Sequence, residues 1–345
     1  MPIRLKAQRG RPENGHFSDR GGTELTQKSI ADAGTPPVRQ RKMSFGTYMR
    51  RYGTLYILLL LPVAFFLIFR YYPMQWIALA FKKNNIIQPL WTVPWVGLDW
   101  FDKAFKTKAF ITAIKNTLVL NLMDLVCGFP APIILALLLN ELTFKRFKKL
   151  TQTILYLPHF LSWIIISGLA TRLLADNDGL LNLVYKQMKG NSSAYIPFLS
   201  NPQYWRWTYI VLGIWKEAGW GTIIYLAALT NISPELYEAA AVDGAGRFSR
   251  MWHVTLPGLR PTIITLLIMR MGYILGSEFD RPLAMSNKLV TDVSQLISIF
   301  VYEQGIQGLK YSLTTAVGLF QSVIAVIFIL GTNALAKRIG ERGIM

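Results

Sequence analysis

The chain has 345 residues, of which 52% are hydrophobic and only 16% charged, against about 25% charged in an ordinary soluble domain. Mean hydropathy is +0.31, and Cys127 is the single cysteine. These values exclude a typical soluble domain and a disulfide-stapled scaffold, and place the chain among integral membrane proteins. The net charge of +18 is crowded into the amino-terminal region and into short segments beside apolar runs. No zinc, RRM-like or homeodomain-like pattern accompanies it, so it reads as lipid anchoring and topology rather than nucleic-acid binding.

Residues 1–53 are rich in Gly, Pro, Arg, Ser and Gln, with almost no apolar periodicity. They read as a basic, disordered cytoplasmic arm, and not as a cleaved secretory signal. A transmembrane region follows over 54–336, with a short tail at 337–345. The first span is "TLYILLLLPVAFFLIF", continuing past Arg70 through "YYPMQWIALAF". The second is "ITAIKNTLVLNLMDLVCGFPAPIILALLL", the third "LTQTILYLPHFLSWIIISGLATRLL" and the fourth "WRWTYIVLGIWKEAGWGTIIYLAAL". The fifth is "TIITLLIMRMGYILGSEF" and the sixth "SLTTAVGLFQSVIAVIFILGTNAL". Each approaches the roughly 20 residues that cross about 30 Å of hydrocarbon as helix. The runs are continuous rather than alternating, which argues against strands. The expected fold class is therefore an all-α integral membrane protein of about six transmembrane helices.

Basic residues set the expected orientation. Arg39, Arg41, Lys42, Arg50 and Arg51 precede the first span. Lys145, Arg146, Lys148 and Lys149 follow the second, Arg247, Arg250 and Arg260 precede the fifth, and Lys337, Arg338 and Arg342 close the chain. These segments alternate correctly for one shared face, placing both termini in the cytoplasm. Lys82, Lys83, Lys103, Lys106 and Lys108 run against the rule in a longer external loop. Trp91, Trp95, Trp100, Trp205 and Trp207 suit an interfacial belt on that opposite side.

Charges and helix breakers lie at membrane depth. Pro62, Pro130, Pro132 and Pro158 remove backbone donors there. Asp124, Lys216, Glu217, Arg270 and Glu278 must face protein or a wet cavity, since a central charge costs about 2.5–3.5 kcal/mol on insertion scales. Lys216 and Glu217 point about 100° apart on a helix, so each is expected to need a partner on another helix, or water. "GYILG" at 272–276 is a small-residue pattern that permits close helix contact.

The segment 235–261, "ELYEAAAVDGAGRFSRMWHVTLPGLRP", is neither apolar enough to span nor catalytic. Ser233 is placed to cap a helix, Pro234 to open it and Glu235 to favour its dipole. "ELYEAAAVDGA" then forms a short helix broken by Gly244 and Gly246. "RFSRMWHVTL" forms a second, limited by Pro257 and Pro261. The expected result is a small-residue helix–turn–helix elbow that a partner groove can approach closely, with Glu238 and Asp243 offering charge.

"EAAAVDGAGRFSRMWHVTLP" resembles the EAA signature of permease subunits of binding-protein-dependent ABC importers. The pattern is Glu-Ala-Ala, a Gly after three residues, then Ile-x-Leu-Pro after nine more. It is met by Glu238, Ala239, Ala240, Gly244 and Val254-Thr255-Leu256-Pro257, with Val for Ile the one departure. "FRYYPM", "GFPAPIILALLLNEL", "LYLPHFLSW" and "YSLTTAVGLFQSV" are similar to the branch handling complex oligosaccharides, including alginate, polygalacturonan and rhamnogalacturonan fragments.

The resemblance implies a type I importer permease fold whose elbow docks as a coupling helix into a cytoplasmic ATPase. Glu238 would anchor by charge. Ala239, Ala240, Asp243 and Gly244 would form the close-contact surface, and Leu256 and Pro257 a rigid exit. It implies a second homologous permease chain in a heterodimer, two ATPase subunits that bind ATP and Mg, and an extracytoplasmic solute-binding protein. This chain has no GxxxxGK[ST] sequence and is expected to bind no cofactor or metal and to be no enzyme. His16, His159 and His253 are scattered, and no nucleophile–base set emerges. Similarity to the maltose-type branch places the sugar path on "WKEAGWG" and "MGYILGSEFDRPLAMSN". The candidates are Lys216, Glu217, Trp220, Arg270, Tyr273, Ser277 and Glu278, although Glu278 and Asp280 replace neutral residues of that branch. Lys216, Arg270 and the external lysines suit a uronate-bearing substrate; Glu217, Glu278 and Asp280 oppose it. An ion-gradient-driven sugar transporter relaying charge through Asp124 or Glu278, or a non-transporting membrane scaffold, are the rival readings, and neither explains the capped elbow.

Overall fold

The computed structural model describes residues 44–85, 87–276, 278–340 and 343–344; most of the expected arm, together with Ser277 and Arg342, lies outside them. The described residues are helical apart from connections and one isolated antiparallel bridge, Lys82 to Trp95. The chain divides into two compact units, 1–64 and 65–345.

The described part of the first unit lies on α1 (Phe45–Phe66). Residues 45–53, expected in the arm, are helical. Tyr48, Tyr52 and Tyr56 recur every four residues and share one face, with Tyr48 and Tyr52 ring centroids 4.7 Å apart. Leu55, Ile57, Leu58 and Leu61 are exposed around the helix, as in a span meeting lipid on every side.

The second unit contains α2 (Asp99–Lys106), α3 (Lys108–Met123), α4 (Pro130–Glu141), α5 (Lys145–Tyr156), α6 (Trp163–Leu174) and α7 (Leu180–Lys189). Next come α8 (Pro202–Leu229), α9 (Pro234–Val242), α10 (Arg247–Arg250) and α11 (Leu256–Met271). Then follow α12 (Asp280–Met285), α13 (Thr291–Ser294), α14 (Ile297–Val301) and α15 (Tyr311–Arg338).

Among the described residues, four helical stretches are long and apolar enough to cross a membrane: Gly46–Phe81, Lys108–Glu141, Arg247–Met271 and Tyr311–Arg338. A fifth arises if the bent pair Lys145–Phe160 and Trp163–Leu174 counts as one span. The 28-residue α8 has the length of a span, about 42 Å at 1.5 Å per residue, but not the apolarity, because Lys216, Glu217 and its glycines dilute it. Apolar length therefore yields four or five spans rather than the expected six.

The third span is not the straight helix expected. Its two halves meet at 101°, because Pro158 removes a donor and Ser162 starts a new helix by accepting the Ile165 N–H at 3.3 Å. The fifth differs too. Helix runs through Arg247–Met271 and stops there, so Tyr273 and Glu278 lie on the following connection rather than on a spanning helix.

Three prolines pass through helices by one device. π turns occupy Leu67–Tyr71, Asp124–Gly128 and Met251–Thr255, and Pro73, Pro130 and Pro257 each sit two positions beyond one of them. In each case the residue before the proline, Tyr72, Phe129 or Leu256, donates its N–H five residues back, to Leu67, Asp124 or Met251. The widened turn makes room for the pyrrolidine ring, and the helix continues. This overturns the expectation that Pro257 and Pro261 end the second elbow helix before the next span. Pro257 lies in the first turn of α11 and Pro261 inside it.

Glycines on α8 set the packing at the centre. A side chain at Gly219 would strike the Leu155 carbonyl of α5, and one at Gly221 would come within 3.1 Å of Pro132 on α4. The "GYILG" pair does not act as a helix-packing pattern, because helix ends before Tyr273; Gly272 alone packs, as the α11 cap, against Ile329 of α15. Buried polar side chains tie the connections down. Asn116 donates to the Asp292 and Gln295 carbonyls at 2.7 and 3.1 Å, Thr117 accepts the Ile297 N–H at 3.0 Å, and the Trp205 indole donates to Met285 at 3.0 Å. Each satisfies a backbone group that would otherwise be stranded.

Candidate functional site: a charged central cavity and an exposed elbow

A cavity of about 610 Å³ opens between the π turn at 124–128, α4, α8, α11 and the connection into α12. Of the candidates for a sugar path, Glu217, Trp220, Arg270, Tyr273 and Glu278 line it, together with Asn121, Asp124, Tyr209 and Arg281. Lys216 does not. It is buried behind the wall, donating to the His159 carbonyl at 2.7 Å and lying 5.6 Å from the Trp163 ring centroid.

Lys216 and Glu217 also pair with each other at 3.0 Å, because two long side chains bridge the angle between neighbouring positions. The second carboxylate oxygen of Glu217 meets His159 Nδ1 at 2.9 Å. The His159 ring lies flat on Trp220, with centroids 4.4 Å apart and planes 2° from parallel. His159 sits at the break between α5 and α6, so this break lies against the cavity wall. One face of Trp220 is thereby covered by imidazole.

The other end of the cavity is built around Asp124. One carboxylate oxygen is bonded by Arg270, and the other lies 3.8 Å from Arg281 Nη1. Arg281 is buried. Its guanidinium lies 3.7 Å from the Tyr209 ring centroid and 5.2 Å from that of Trp163, and it donates to the Tyr209 carbonyl. A side chain at Gly213 would occupy the space of that guanidinium, so glycine here on α8 is what admits the arginine. Asn121 donates to the Ile274 and Gly276 carbonyls, both at 2.9 Å, pinning the connection that carries Tyr273 and Glu278. Pure aromatic and hydroxyl lining would bind a neutral sugar face. Here three carboxylates (Asp124, Glu217, Glu278) and two guanidiniums (Arg270, Arg281) line the space, which suits a polar, charge-bearing ligand.

The elbow lies apart from this cavity. Ser233 caps α9 by accepting the Glu235 N–H at 3.3 Å. Gly244, at φ +77°, closes it: Ala245 N–H reaches the Ala240 carbonyl at 2.9 Å and Gly244 N–H the Ala241 carbonyl at 3.1 Å. This is a Schellman cap, for which a left-handed residue is needed. Glu238, Ala239, Asp243, Gly244 and Pro257 are exposed, and Ala240 and Leu256 half-buried. Glu238 and Asp243 enter no ion pair among the described residues. Val242 and Phe248 are 88% and 83% exposed, so apolar surface stands beside these carboxylates. The Tyr237 hydroxyl donates to Thr255 Oγ1 at 3.2 Å, tying α9 to the turn that leads into α11.

Sequence reasoning did not single out His159, Arg281, Asn121 or Tyr237. Arg281 reads as an ordinary charged residue after a span, and its burial depends on Gly213, far away in sequence. The presence of His159 in "LYLPHFLSW", beside a proline break, was the available signal.

The family described as "Binding-protein-dependent transport system inner membrane component" matches residues 128–341, a stretch containing both the elbow and most of the cavity wall. The chain belongs to this family. Protein LplB of Bacillus subtilis (strain 168) is 42% identical over 302 residues, covering 88% of this chain and 94% of that protein. The polygalacturonan/rhamnogalacturonan transport system permease protein YteP of the same organism is 42% identical over 290 residues, covering 84% and 89%. Among solved structures, a bacterial alginate ABC transporter in complex with an alginate pentasaccharide-bound periplasmic protein contains a chain matching with a TM-score of 0.78 at 39% identity. That match covers 87% of this chain and 99% of that one. The permease is thus a multi-pass, all-helical membrane subunit of an ABC importer, and it has the fold of importer permeases. It is a transport component and not an enzyme.

Proposed function

We propose that this permease passes uronate-bearing oligosaccharides, received from an extracytoplasmic solute-binding protein, through the cavity walled by Asp124, Glu217, Trp220, Arg270, Tyr273 and Glu278. The observation that carries the reading is the cluster of Arg270 and Arg281 around Asp124 inside the cavity. The glycans for which YteP and the alginate transporter are named, both acidic, support it. Exposed Trp220 and Tyr273 supply rings for pyranose faces.

The complete transporter in this reading has a second homologous permease chain, two ATPase subunits that bind ATP and Mg, and the binding protein. The basic segments at 39–51, 145–149, 247–260 and 337–342 face the cytoplasm, which places the arm, the tail and the elbow there and makes α8 the sixth span. The elbow docks on an ATPase. Glu238 anchors it by charge, Ala239, Ala240, Asp243 and Gly244 form its close surface, and Leu256 and Pro257 carry movement into α11.

The test is ligand-stimulated ATP hydrolysis by the complex, purified with its co-expressed partners and reconstituted in liposomes. Oligogalacturonate or oligoalginate is expected to stimulate it where neutral glycans of the same length do not. Stimulation by neutral glycans alone overturns the uronate assignment. Uptake driven by an ion gradient without ATP overturns the coupling.

A further inference from the structure

The cavity poses a problem for an acidic substrate. Asp124, Glu217 and Glu278 on its wall repel a carboxylate, and the cations that would attract one are already engaged. Lys216 is occupied by Glu217 and the His159 carbonyl. Arg281 is 7% exposed and held by Tyr209 and Trp163. Arg270 differs. Its side chain is 46% exposed, it stands in the last turn of α11, and its guanidinium is paired with Asp124.

Building on the uronate reading, we propose that Arg270 is an exchangeable carboxylate receptor. Asp124 holds its guanidinium until substrate arrives and yields it to a substrate carboxylate during passage. Asp124 then acts as an internal stand-in for the ligand's own charged group.

The geometry makes the exchange inexpensive. A buried carboxylate stripped of its partner is strongly destabilising. Asp124, however, is only 15% exposed and touches two guanidiniums, with Arg281 3.8 Å from its second oxygen. When Arg270 swings to the ligand, Arg281 still faces Asp124, and neither carboxylate is left alone. Arg281 cannot follow, since aromatic rings and the Tyr209 carbonyl hold it, and Gly213 supplies the slot it fills. Gly128 leaves room for the carboxylate on the other side, since a Cβ there would stand 3.0 Å from Asp124 Oδ1. One arginine is fixed and one is free, which is the division of labour that an exchange requires. Trading one carboxylate for another on the same guanidinium also gives weak, reversible binding, as a substrate that must leave demands.

The test uses the reconstituted complex with one binding protein throughout, comparing ATP-driven uptake of an oligogalacturonate with that of its methyl ester of equal length. Any change in the uronate-to-ester ratio between variants then belongs to the permease. Arg270→Gln is expected to lower that ratio roughly tenfold, the scale of one charge-assisted hydrogen bond. Arg270→Lys should restore part of it, having charge without the planar fork. Asp124→Asn, which removes the competitor and leaves the cation, should raise the ratio and lower the concentration of uronate needed for half-maximal uptake. An unchanged ratio in Arg270→Gln, or an unchanged or lowered one in Asp124→Asn, overturns the exchange. If Arg270→Gln fails to assemble, Arg270→Lys and Asp124→Asn decide alone. A wild-type complex that prefers the ester overturns the uronate reading and the exchange together; a wild-type preference for uronate with unmoved variants overturns only the exchange.

Discussion

The elbow and the cavity handle charge in opposite ways. On the elbow, Glu238 and Asp243 stand exposed, outside any ion pair among the described residues, beside bare apolar side chains. In the cavity, Asp124 is bound to Arg270 and faces Arg281, and Glu217 is bound to Lys216 and His159. An exposed, unpaired carboxylate gives up only its hydration when a partner protein arrives. A carboxylate paired inside a membrane protein must exchange one partner for another. The first arrangement suits lasting attachment to a partner subunit, and the second suits transient contact with a passing ligand.

Substitutions at four positions press on this contrast, in descending order of effect. Gly213→Val drives its side chain into the space of the Arg281 guanidinium and strands a buried charge. It should cost about 3–5 kcal/mol, read as loss of folded protein and a lowered unfolding temperature in detergent. Glu238→Lys should leave insertion and thermal stability intact and cut ATP-driven uptake roughly tenfold or more, since reversing a charge at a docking face costs several kcal/mol. Unimpaired uptake would remove Glu238 from the coupling surface. Gly244→Ala has open space around its new methyl but sits at φ +77°. The strain of about 1–2 kcal/mol should weaken coupling, and Gly244→Asn, which tolerates that conformation, should weaken it less. Tyr237→Phe removes the hydroxyl contact to Thr255 and should cost about 0.5–1.5 kcal/mol. That change should be visible as faster amide exchange in α9 with no change in ligand preference.

What was legible in the sequence was local. Ser233, Pro234, Gly244 and Gly246 announce the elbow because caps and glycine turns act over a few residues. The apolar runs announce the spans for the same reason. The break at Pro158 was visible as a missing donor, but Ser162 as a new cap was hidden inside an apolar stretch. The continuity of helix through Pro257 was not legible, because it depends on a π turn that no residue type announces. The pairing of Asp124 with Arg270 joins positions 146 residues apart, and Arg281 is buried only because Gly213 leaves it room. Such contacts belong to the folded arrangement of α8, α11 and the connection after it, and no periodicity encodes them.

In the proposed mechanism the elbow receives work from an ATPase on the inner face and passes it through Thr255 and α11 to the cavity wall. The most direct test places a photo-crosslinking residue at Val242, which is 88% exposed at the end of α9, in the complete complex in native membranes. An adduct with the ATPase chain is expected. An adduct with the extracytoplasmic binding protein, or none with the ATPase in a complex that still transports, would contradict the mechanism.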